Sequence, residues 1–278
     1  MDEFAIRPPN NISEFCGLQE AQRRAWGIVD DSYILPISTM VSAHHHGGLV
    51  LGAFTAANVA VGLSFAFLGQ IHGRICLYSQ LTGVIPDHQG KRIGSRMKEA
   101  QREFCKQQGI ALIAWAFDPM QAGNAYFNFH RLGACSRRYI SNMYGPRTDL
   151  LNAGSDTNRL IVEWEVDATP RSELNLNEIR DLPRIIRPAT SDVYPFSLDP
   201  KGHRVLLEIP TSMSKLSRDN PELARGWRDV VGHSFTCSFE LGYVAVGFVR
   251  GIEDSLGGFR SYYILEREAP ENFLCNLT

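Results

Sequence analysis

One stretch of this sequence joins a strand pattern to a helix pattern: Val84-Ile-Pro-Asp-His-Gln89-Gly-Lys-Arg-Ile-Gly94-Ser95. A strand, a glycine-containing turn and a helix start are a common way to build a phosphate pocket. The first N–H groups of a helix have no partner within the helix and carry partial positive charge. Gly90 and Gly94 lack a Cβ, so an anion can approach the backbone closely, and Lys91 and Arg92 add charge beside it. The stretch therefore predicts a binding site for the diphosphate of a nucleotide-bearing cofactor.

The composition is that of an ordinary globular chain. Its 278 residues are enough for one large domain or two small ones. Of these residues, 44% are hydrophobic and 21% are charged. The net charge is −2, so there is no broad basic field to hold DNA or RNA, and no nucleic-acid partner is expected. The acidic start over residues 1–4 lacks the features of a signal peptide, and we expect a cytoplasmic protein.

The cysteines and the longest uncharged run have ordinary interpretations. Six cysteines are scattered without a Cys-x-x-Cys pair, so we expect reduced thiols, and no metal site is predicted. Residues 47–73 contain no Asp, Glu, Lys or Arg, and the run is long enough to cross a bilayer. Several glycines, Asn58 and Gln70 interrupt it. We interpret it as a buried hairpin, and no membrane partner is expected.

The hydrophobic pattern of the first 167 residues predicts alternating helices and strands. A helix over 14–27 is followed by a loop over 28–48. The clearest helix covers 93–108, with one apolar stripe made of Ile93, Met97, Ala100 and Phe104. The other predicted elements are strands over 49–54, 59–68, 74–85, 111–117, 134–145 and 159–166, and a shorter helix over 121–131.

The chain changes character over 167–183, where apolar residues are sparse. We place a domain boundary there and predict two domains, 1–167 and 168–278. In the second, Asn220-Pro221-Glu222 marks the start of a helix that runs to residue 241. The strands predicted in this part are 184–187, 203–209, 243–250 and 259–267.

The order of these elements resembles that of the GNAT acyltransferase superfamily, and two motifs carry the resemblance. Leu81-Thr-Gly-Val84-Ile-Pro86, followed by Gln89-Gly-Lys-Arg-Ile-Gly94, is similar to the acyl-CoA signature of that superfamily. Asn124-Ala-Tyr-Phe-Asn-Phe-His-Arg-Leu-Gly133 is similar to its helix that begins with Asn and ends in Leu-Gly. More narrowly, the chain resembles a group of predicted GNAT acetyltransferases of about this length. The further motifs that support this likeness lie at 47–54, 115–119, 152–154, 159–164, 208–210 and 227–228.

The resemblance implies a fold and a domain organisation. It implies an α+β fold over 1–167, with a mixed, mostly antiparallel sheet flanked by helices. The region 168–278 is then a C-terminal α/β extension. We expect this extension to pack against the first domain or a second subunit, and to complete the acceptor site or an interface. A homodimer is one of these arrangements.

The resemblance also implies a way of binding acyl-CoA. GNAT proteins hold it between two splayed parallel strands, which here are 74–85 and 111–117. The diphosphate would rest on backbone N–H groups, the pantetheine arm on the backbone near Val84, and the helix that begins near Asn124 would flank that arm. The predicted cofactor-binding residues are Val84, Gln89, Gly90, Lys91, Arg92, Ile93, Gly94, Ser95, Asn124 and Phe127.

The chemistry implied by the resemblance is direct attack by an amine, without an acyl-enzyme. A backbone N–H near Thr82 would polarise the thioester carbonyl and hold the oxyanion. Tyr78, Ser79 and Gln80 lie near the expected position of the acyl group, and at most every second one faces it because strand side chains alternate. The predicted catalytic residues are therefore Thr82, Tyr78, Ser79 and Gln80.

Three positions depart from the family pattern. Arg92 stands where the first glycine of the loop is expected, and its side chain would either crowd the diphosphate or pair with it. Phe129 stands where many members have a Tyr that protonates the leaving thiolate. Tyr78 stands where several members have a Glu base. Attack by an amine that is already neutral, or proton removal through ordered water, becomes the expected route.

These departures leave three functions open. The first is transfer of an acyl group from acyl-CoA, such as acetyl-CoA, to the amine of a small-molecule acceptor. The second is the same transfer from phosphopantetheine on an acyl carrier protein, which lacks the diphosphate. The third is a non-transferring GNAT fold that binds acyl-CoA or catalyses decarboxylation. None of the three requires a metal ion.

Overall fold

The structure of the chain, a computed structural model, describes residues 4–145, 156–169, 178–179, 181–185, 202–253 and 259–268. The chain forms two compact units. The first unit comprises Met1–Trp115 and Tyr144–Thr157, and the second comprises Ala116–Met143 and Asn158–Thr278. The motif at 152–154 and the end of the predicted strand at 186–187 lie outside the described residues. The division at residue 167 stays a prediction.

Where the structure describes it, the first unit contains five strands in the order β1-β2-β3-β4-β5. Neighbouring strands are antiparallel except β4 and β5, which are parallel. The strands are β1 Phe4–Arg7, β2 Leu49–Thr55, β3 Ala60–Ile71, β4 Arg74–Val84 and β5 Leu112–Phe117, the last two residues of β5 belonging to the second unit. The uncharged run over 47–73 is therefore a hairpin, as predicted, which is buried over 49–54 and 60–66 but exposed at Phe67 and Leu68.

Three helices pack against this sheet: α1 Ile12–Trp26, α2 Ile37–His45 and α3 Ile93–Gln108. The Asn11 side chain accepts a hydrogen bond from the Glu14 N–H, and Gly27 ends α1 in the left-handed region. The predictions of α1 and α3 are confirmed. The prediction of a loop over 28–48 is wrong, because α2 forms there after Pro36 and buries Met40 in the core.

The apolar stripe predicted for α3 is only partly right. Ile93 and Met97 are buried, but Ala100 and Phe104 are half-buried. The helix instead turns Lys98, Gln101 and Cys105 towards the interior. Two of these side chains are polar, so the sheet must supply hydrogen-bond partners for them.

Among its described residues, the second unit contains five strands in the order β7-β6-β9-β10-β8, and neighbouring strands are antiparallel. The strands are β6 Cys135–Ile140, β7 Arg159–Glu165, β8 Arg204–Ile209, β9 Tyr243–Glu253 and β10 Phe259–Arg267. The helices are α4 Ala122–Ala125, continued by a π-helical turn over Tyr126–Arg131, then α5 Met213–Asp219 and α6 Pro221–Glu240. The α+β class, with a mixed and mostly antiparallel sheet, is confirmed.

The C-terminal elements follow the sequence pattern closely. The Asn220 side chain accepts a hydrogen bond of 3.0 Å from the Leu223 N–H at the start of α6, as predicted. Helix α5 was not predicted from the sequence. The strand predicted over 184–187 is reduced to a parallel bridge between Arg184 and Leu206 within the described residues. In that part of the chain, no helix is both long and apolar enough to cross a membrane.

Candidate functional site

The candidate site begins where β4 leaves β5. The two strands are paired at Leu77 with Ile113 and at Tyr78 with Ala114, and β4 then continues unpaired with β5 to Val84. Parallel strands that separate in this way leave backbone N–H and C=O groups without a ladder partner on one side. These groups are available to a ligand that lies along the strand, apart from the Val84 carbonyl, which accepts a hydrogen bond from the Gln89 side chain.

A β-bulge marks the point of separation. On the other side of β4, Ala66 pairs with Ser79, whereas Phe65 pairs with Leu81, so Gln80 is the extra residue. A bulge bends its strand and re-aims the side chains around it. As a result, Ser79 and Thr82, three residues apart, come within 3.3 Å of each other through their hydroxyls. In a regular strand they would point to opposite faces.

The turn after β4 leads directly into the first turn of α3. A 3-10 turn covers Pro86–His88, and the Gln89 side chain donates a hydrogen bond of 3.0 Å to the Val84 carbonyl. Gly90 has a φ of 79°, and the N-cap residue Arg92 supplies no side-chain cap to α3. The first-turn N–H groups of α3 therefore keep their capacity to bind an anion.

The space around this turn is open. No heavy atom of the described residues, other than the chain neighbours, lies within 4 Å of a Cβ built on Gly90 or Gly94. Lys91 and Arg92 are exposed, so the Arg92 side chain does not cover the glycines. Ile93 is buried with 2% of its surface exposed, so its side chain belongs to the core and its backbone alone can serve a ligand.

Arg92 has the backbone conformation of a glycine. Its φ is 59° and its ψ is 14°, which is the left-handed region. A residue with a Cβ pays about 1 kcal/mol to stay there. The resemblance described above places glycine at this position, and the left-handed backbone gives a physical reason for it.

We expect Arg92→Gly to stabilise the protein by about 0.5 kcal/mol, because relief of the left-handed strain outweighs the extra entropy of glycine in the unfolded chain. Arg92→Val is expected to destabilise it by about 1 kcal/mol, since a β-branched residue tolerates positive φ poorly. Denaturant unfolding of the three proteins measures both changes. If Arg92→Val were more stable than Arg92→Gly, the conclusion that the backbone is strained at this position would be wrong.

Behind the bulge lies a buried group of polar side chains, which we call the Lys98 cluster: Lys98 and Gln101 from α3, Ser64 from β3, and Ser79 and Thr82 from β4. Lys98 Nζ donates to Ser79 Oγ at 3.1 Å and to Gln101 Oε1 at 3.2 Å. Gln101 Nε2 donates to Ser64 Oγ at 2.6 Å and to Ser79 Oγ at 2.8 Å. Thr82 Oγ1 lies 3.1 Å from Ser64 Oγ. The interior polar groups of α3 are thus bonded by two hydroxyls of the sheet, Ser64 and Ser79, and Thr82 contacts both of these serines.

Opposing effects act on the charged form of the Lys98 amine. Its side chain is 5% exposed, and burial lowers its pKa to about 7. The charged form is favoured by two oxygen acceptors and by the Trp115 ring, whose centroid lies 3.7 Å from Nζ. A protonated amine has three N–H bonds, one for each of these partners. Lys98 is therefore the titrating group of this cluster near neutral pH.

We expect the stability of the protein to rise by about 1 kcal/mol between pH 7 and 8, relative to Lys98→Met. Burial lowers the folded pKa to about 7 from 10.5, so the unfolded chain holds the extra proton across this window. The Cys105 thiol, whose pKa burial raises to about 12 from 9.0, acts in the opposite sense only above pH 9. Urea unfolding at the two pH values measures the slope. Equal slopes for the two proteins would contradict the lowered pKa.

The opposite face of β4 borders an open groove of about 480 Å³. It is lined by α2 through Ser38, Thr39, Ser42 and Ala43, and by the strands through Phe65, Phe67 and Gln80. Tyr78 is on the same face, because its ring packs against that of Phe67 at 5.4 Å. The four predicted catalytic residues are thus divided: Tyr78 and Gln80 lie on the groove face, and the side chains of Ser79 and Thr82 on the α3 face.

The second unit holds the other two predicted binding residues. Asn124 is exposed in α4, and Phe127 is half-buried in the π-helical turn. Phe129, which stands at the position of the Tyr acid, is fully buried against Tyr263 with ring centroids 5.5 Å apart. Tyr263 donates its hydroxyl to the Pro119 carbonyl at 2.7 Å, and burial raises its pKa well above the usual value. Neither ring can serve as the acid.

Sequence reasoning missed Lys98, Gln101 and Ser64. The available signal was weak: two polar residues three positions apart on one side of an amphipathic helix, next to Met97. Their burial depends on hydroxyls from two strands that are distant in the chain, and no local pattern reports such a match.

Comparisons with known proteins are informative only at the level of solved structures. No family model and no curated protein matches the chain. Similar solved structures include the NatC complex bound to Gag peptide and CoA, at 12% identity over 59% of this chain and 98% of that chain, with a TM-score of 0.47. Another is the ribosomal-protein-S18-alanine N-acetyltransferase of Escherichia coli, at 13% identity over 62% of this chain and 99% of that one, with a TM-score of 0.47.

A third similar structure is aminoglycoside 6′-acetyltransferase type Ii, at 15% identity over 60% of this chain and 99% of that one, with a TM-score of 0.45. The first of these structures contains a peptide and CoA, and the second and third are acetyltransferases. The element order and the motifs of this chain resemble those of the GNAT superfamily.

Proposed function

We propose that this protein transfers an acyl group from a CoA thioester to the amine of a small-molecule acceptor. The observation that carries the proposal is the continuous path formed by the bulge in β4, the free edge of β4 up to Val84, and the uncapped start of α3. An extended thioester with a phosphorylated end fits such a path, because backbone groups along a strand hold the arm and a helix start holds the phosphates.

The donor would bind with its diphosphate on the backbone N–H groups from Gln89 to Ser95. Open space beside Gly90 and Gly94 supports this placement, and so do the exposed charges of Lys91 and Arg92. The pantetheine arm would follow the edge of β4 from Val84, and the thioester carbonyl would reach the bulge near Thr82.

The acceptor amine would enter by the groove on the opposite face of β4. The groove is lined by hydroxyls, one amide and two aromatic rings, with no charged side chain among its lining residues. That lining suits a small amine carrying apolar and hydroxyl groups better than a polycation. No carboxylate of β4 faces this groove, so direct attack by a neutral amine is the route that these residues support.

Binding of donor fragments tests the first half of the proposal. Calorimetry would compare CoA, 4′-phosphopantetheine and pantetheine. We expect CoA to bind at least tenfold more tightly than phosphopantetheine, and pantetheine more weakly still, with an affinity for CoA that falls as salt rises. Failure of CoA to bind at 1 mM, on the order of the weakest specific affinities, would reject the proposal.

Transfer tests the second half. Acetyl-CoA would be mixed with a panel of amines that range from amino acids to polyamines, and release of free thiol would be followed. We expect release that depends on an amine. Preference for phosphopantetheine on an acyl carrier protein over CoA would instead favour the carrier-protein donor. Binding of acetyl-CoA without release by any amine would favour a non-transferring acyl-CoA binder.

A further inference from the structure

The donors Lys98 and Gln101 fix the direction of several hydrogen bonds in the Lys98 cluster. The Gln101 amide must place its oxygen towards Lys98, since the reverse orientation would set two donors against each other. Its two N–H bonds then point to Ser64 Oγ and Ser79 Oγ. Ser79 Oγ accepts from both Lys98 and Gln101, so both of its lone pairs are in use.

It follows that the Ser79 hydroxyl donates to Thr82 Oγ1, the other partner within reach at 3.3 Å. Ser64 Oγ already accepts from Gln101, and it lies 3.1 Å from Thr82 Oγ1. When Ser64 also donates to Thr82, the threonine oxygen accepts two hydrogen bonds and its own proton is left for a ligand. Thr82 is half-buried, whereas Ser64 and Ser79 are buried. Of these three hydroxyls, a ligand can therefore reach that of Thr82.

We infer that the Thr82 hydroxyl donates a hydrogen bond to the thioester carbonyl oxygen of the bound acyl donor, and that Lys98, Gln101 and Ser79 are positioning residues that orient and polarise it. The inference rests on the proposed function. Each link passes positive polarity from the Lys98 ammonium towards Thr82, and such chains strengthen the last donor. No proton is transferred along these hydrogen bonds. They supply a preorganised donor where negative charge develops on the carbonyl oxygen.

The bulge is what makes this arrangement available. It brings Thr82 to the same face as Ser79, at the place where β4 is free of β5. Tyr78 and Gln80 project to the groove on the other face. One strand therefore presents the carbonyl donor on one side and the acceptor contacts on the other, which is the geometry that direct transfer needs.

Infrared spectroscopy of bound acetyl-CoA, labelled with ¹³C at the thioester carbonyl, tests the inference without a known acceptor. We expect the C=O stretch to lie at lower frequency in the complex than in free acetyl-CoA. Thr82→Val is expected to return the band towards the free value, Thr82→Ser to keep it low, and Lys98→Met to give an intermediate position. Thr236→Val and Lys106→Met are the matched controls, on α6 and on the exposed side of α3, and they should leave the band unchanged.

The kinetic counterpart uses any amine found to release thiol. We expect Thr82→Val to lower kcat about 100-fold while the KM for acetyl-CoA stays within about threefold. If the carbonyl band of acetyl-CoA bound to Thr82→Val stays at the low frequency of the unmodified complex, the inference is overturned and the proposed function still stands. Loss of the band shift in Thr82→Ser as well would also overturn it, since that would indicate altered packing. Failure of the unmodified protein to bind acetyl-CoA would reject both.

Discussion

Replacing Ser95 with Glu is expected to weaken the binding of CoA about 100-fold while the fold stays intact. Ser95 is the third residue of α3, and it follows the open Gly94 in the first turn of the helix. A carboxylate about 5 Å from a phosphate repels it by about 3 kcal/mol at an effective dielectric constant near 20, and about 2.7 kcal/mol corresponds to 100-fold in affinity. The same carboxylate stabilises the start of the helix by about 0.5 kcal/mol.

Ser95→Glu is expected to weaken CoA binding but to stabilise the fold, so loss of binding through unfolding can be distinguished from repulsion of the phosphates. Calorimetry with CoA measures the affinity, and denaturant unfolding measures the stability. Ser95→Gln has nearly the same size without the charge, so it should retain affinity within about threefold. The penalty for Glu should also shrink as salt rises, because the phosphates and the carboxylate are screened. A Glu variant that binds CoA as tightly as the Gln variant would place the diphosphate elsewhere.

Local signals explain why much of the fold was predictable. Helix α3 was predicted with both ends, since Gly109 adopts a left-handed φ of 67° at its C-terminus and the apolar spacing starts at Ile93. The start of α6 followed from the Asn220 cap and Pro221. In each case one residue type satisfies a backbone requirement at one position, and such a requirement is visible in the sequence.

Helix α2 shows where this reasoning ends. Its nine residues include several Ser, Thr and β-branched residues, which favour other conformations, and Pro36 supplies no side-chain cap. The helix is held by burial of Met40 against the core. A short helix that depends on tertiary packing gives no periodic signal of its own.

The candidate site was predictable to the same extent. The turn from Gln89 to Ser95 could be found because glycines and charges lie together in the sequence. The bulge could not, because Gln80 becomes an extra residue only through the pairing of β4 with β3. Burial of Lys98 depends in turn on the hydroxyls that the bulge brings together. Local sequence patterns report none of these long-range contacts.

Replacing Gly83 with Ala is expected to destabilise the protein by about 2 kcal/mol. Gly83 lies in β4 between Thr82 and Val84, and the Trp26 ring at the end of α1 lies next to it. A Cβ built on Gly83 would lie 2.3, 2.6 and 2.9 Å from three atoms of that ring. Real Cβ atoms do not approach so closely, so either the half-buried indole or the strand must move. Denaturant unfolding measures the change.

A double-mutant cycle separates this clash from a general effect of alanine in a strand. In a Trp26→Phe background the smaller ring leaves room, and the cost of Gly83→Ala is expected to fall below about 1 kcal/mol. Gly69→Ala in β3 is the matched control, because its nearest atoms lie at 3.4 and 3.7 Å, which is ordinary contact. It should change stability by less than about 0.5 kcal/mol. Equal costs for Gly83→Ala in both backgrounds would show that Trp26 does not fix the position of β4 beside Thr82.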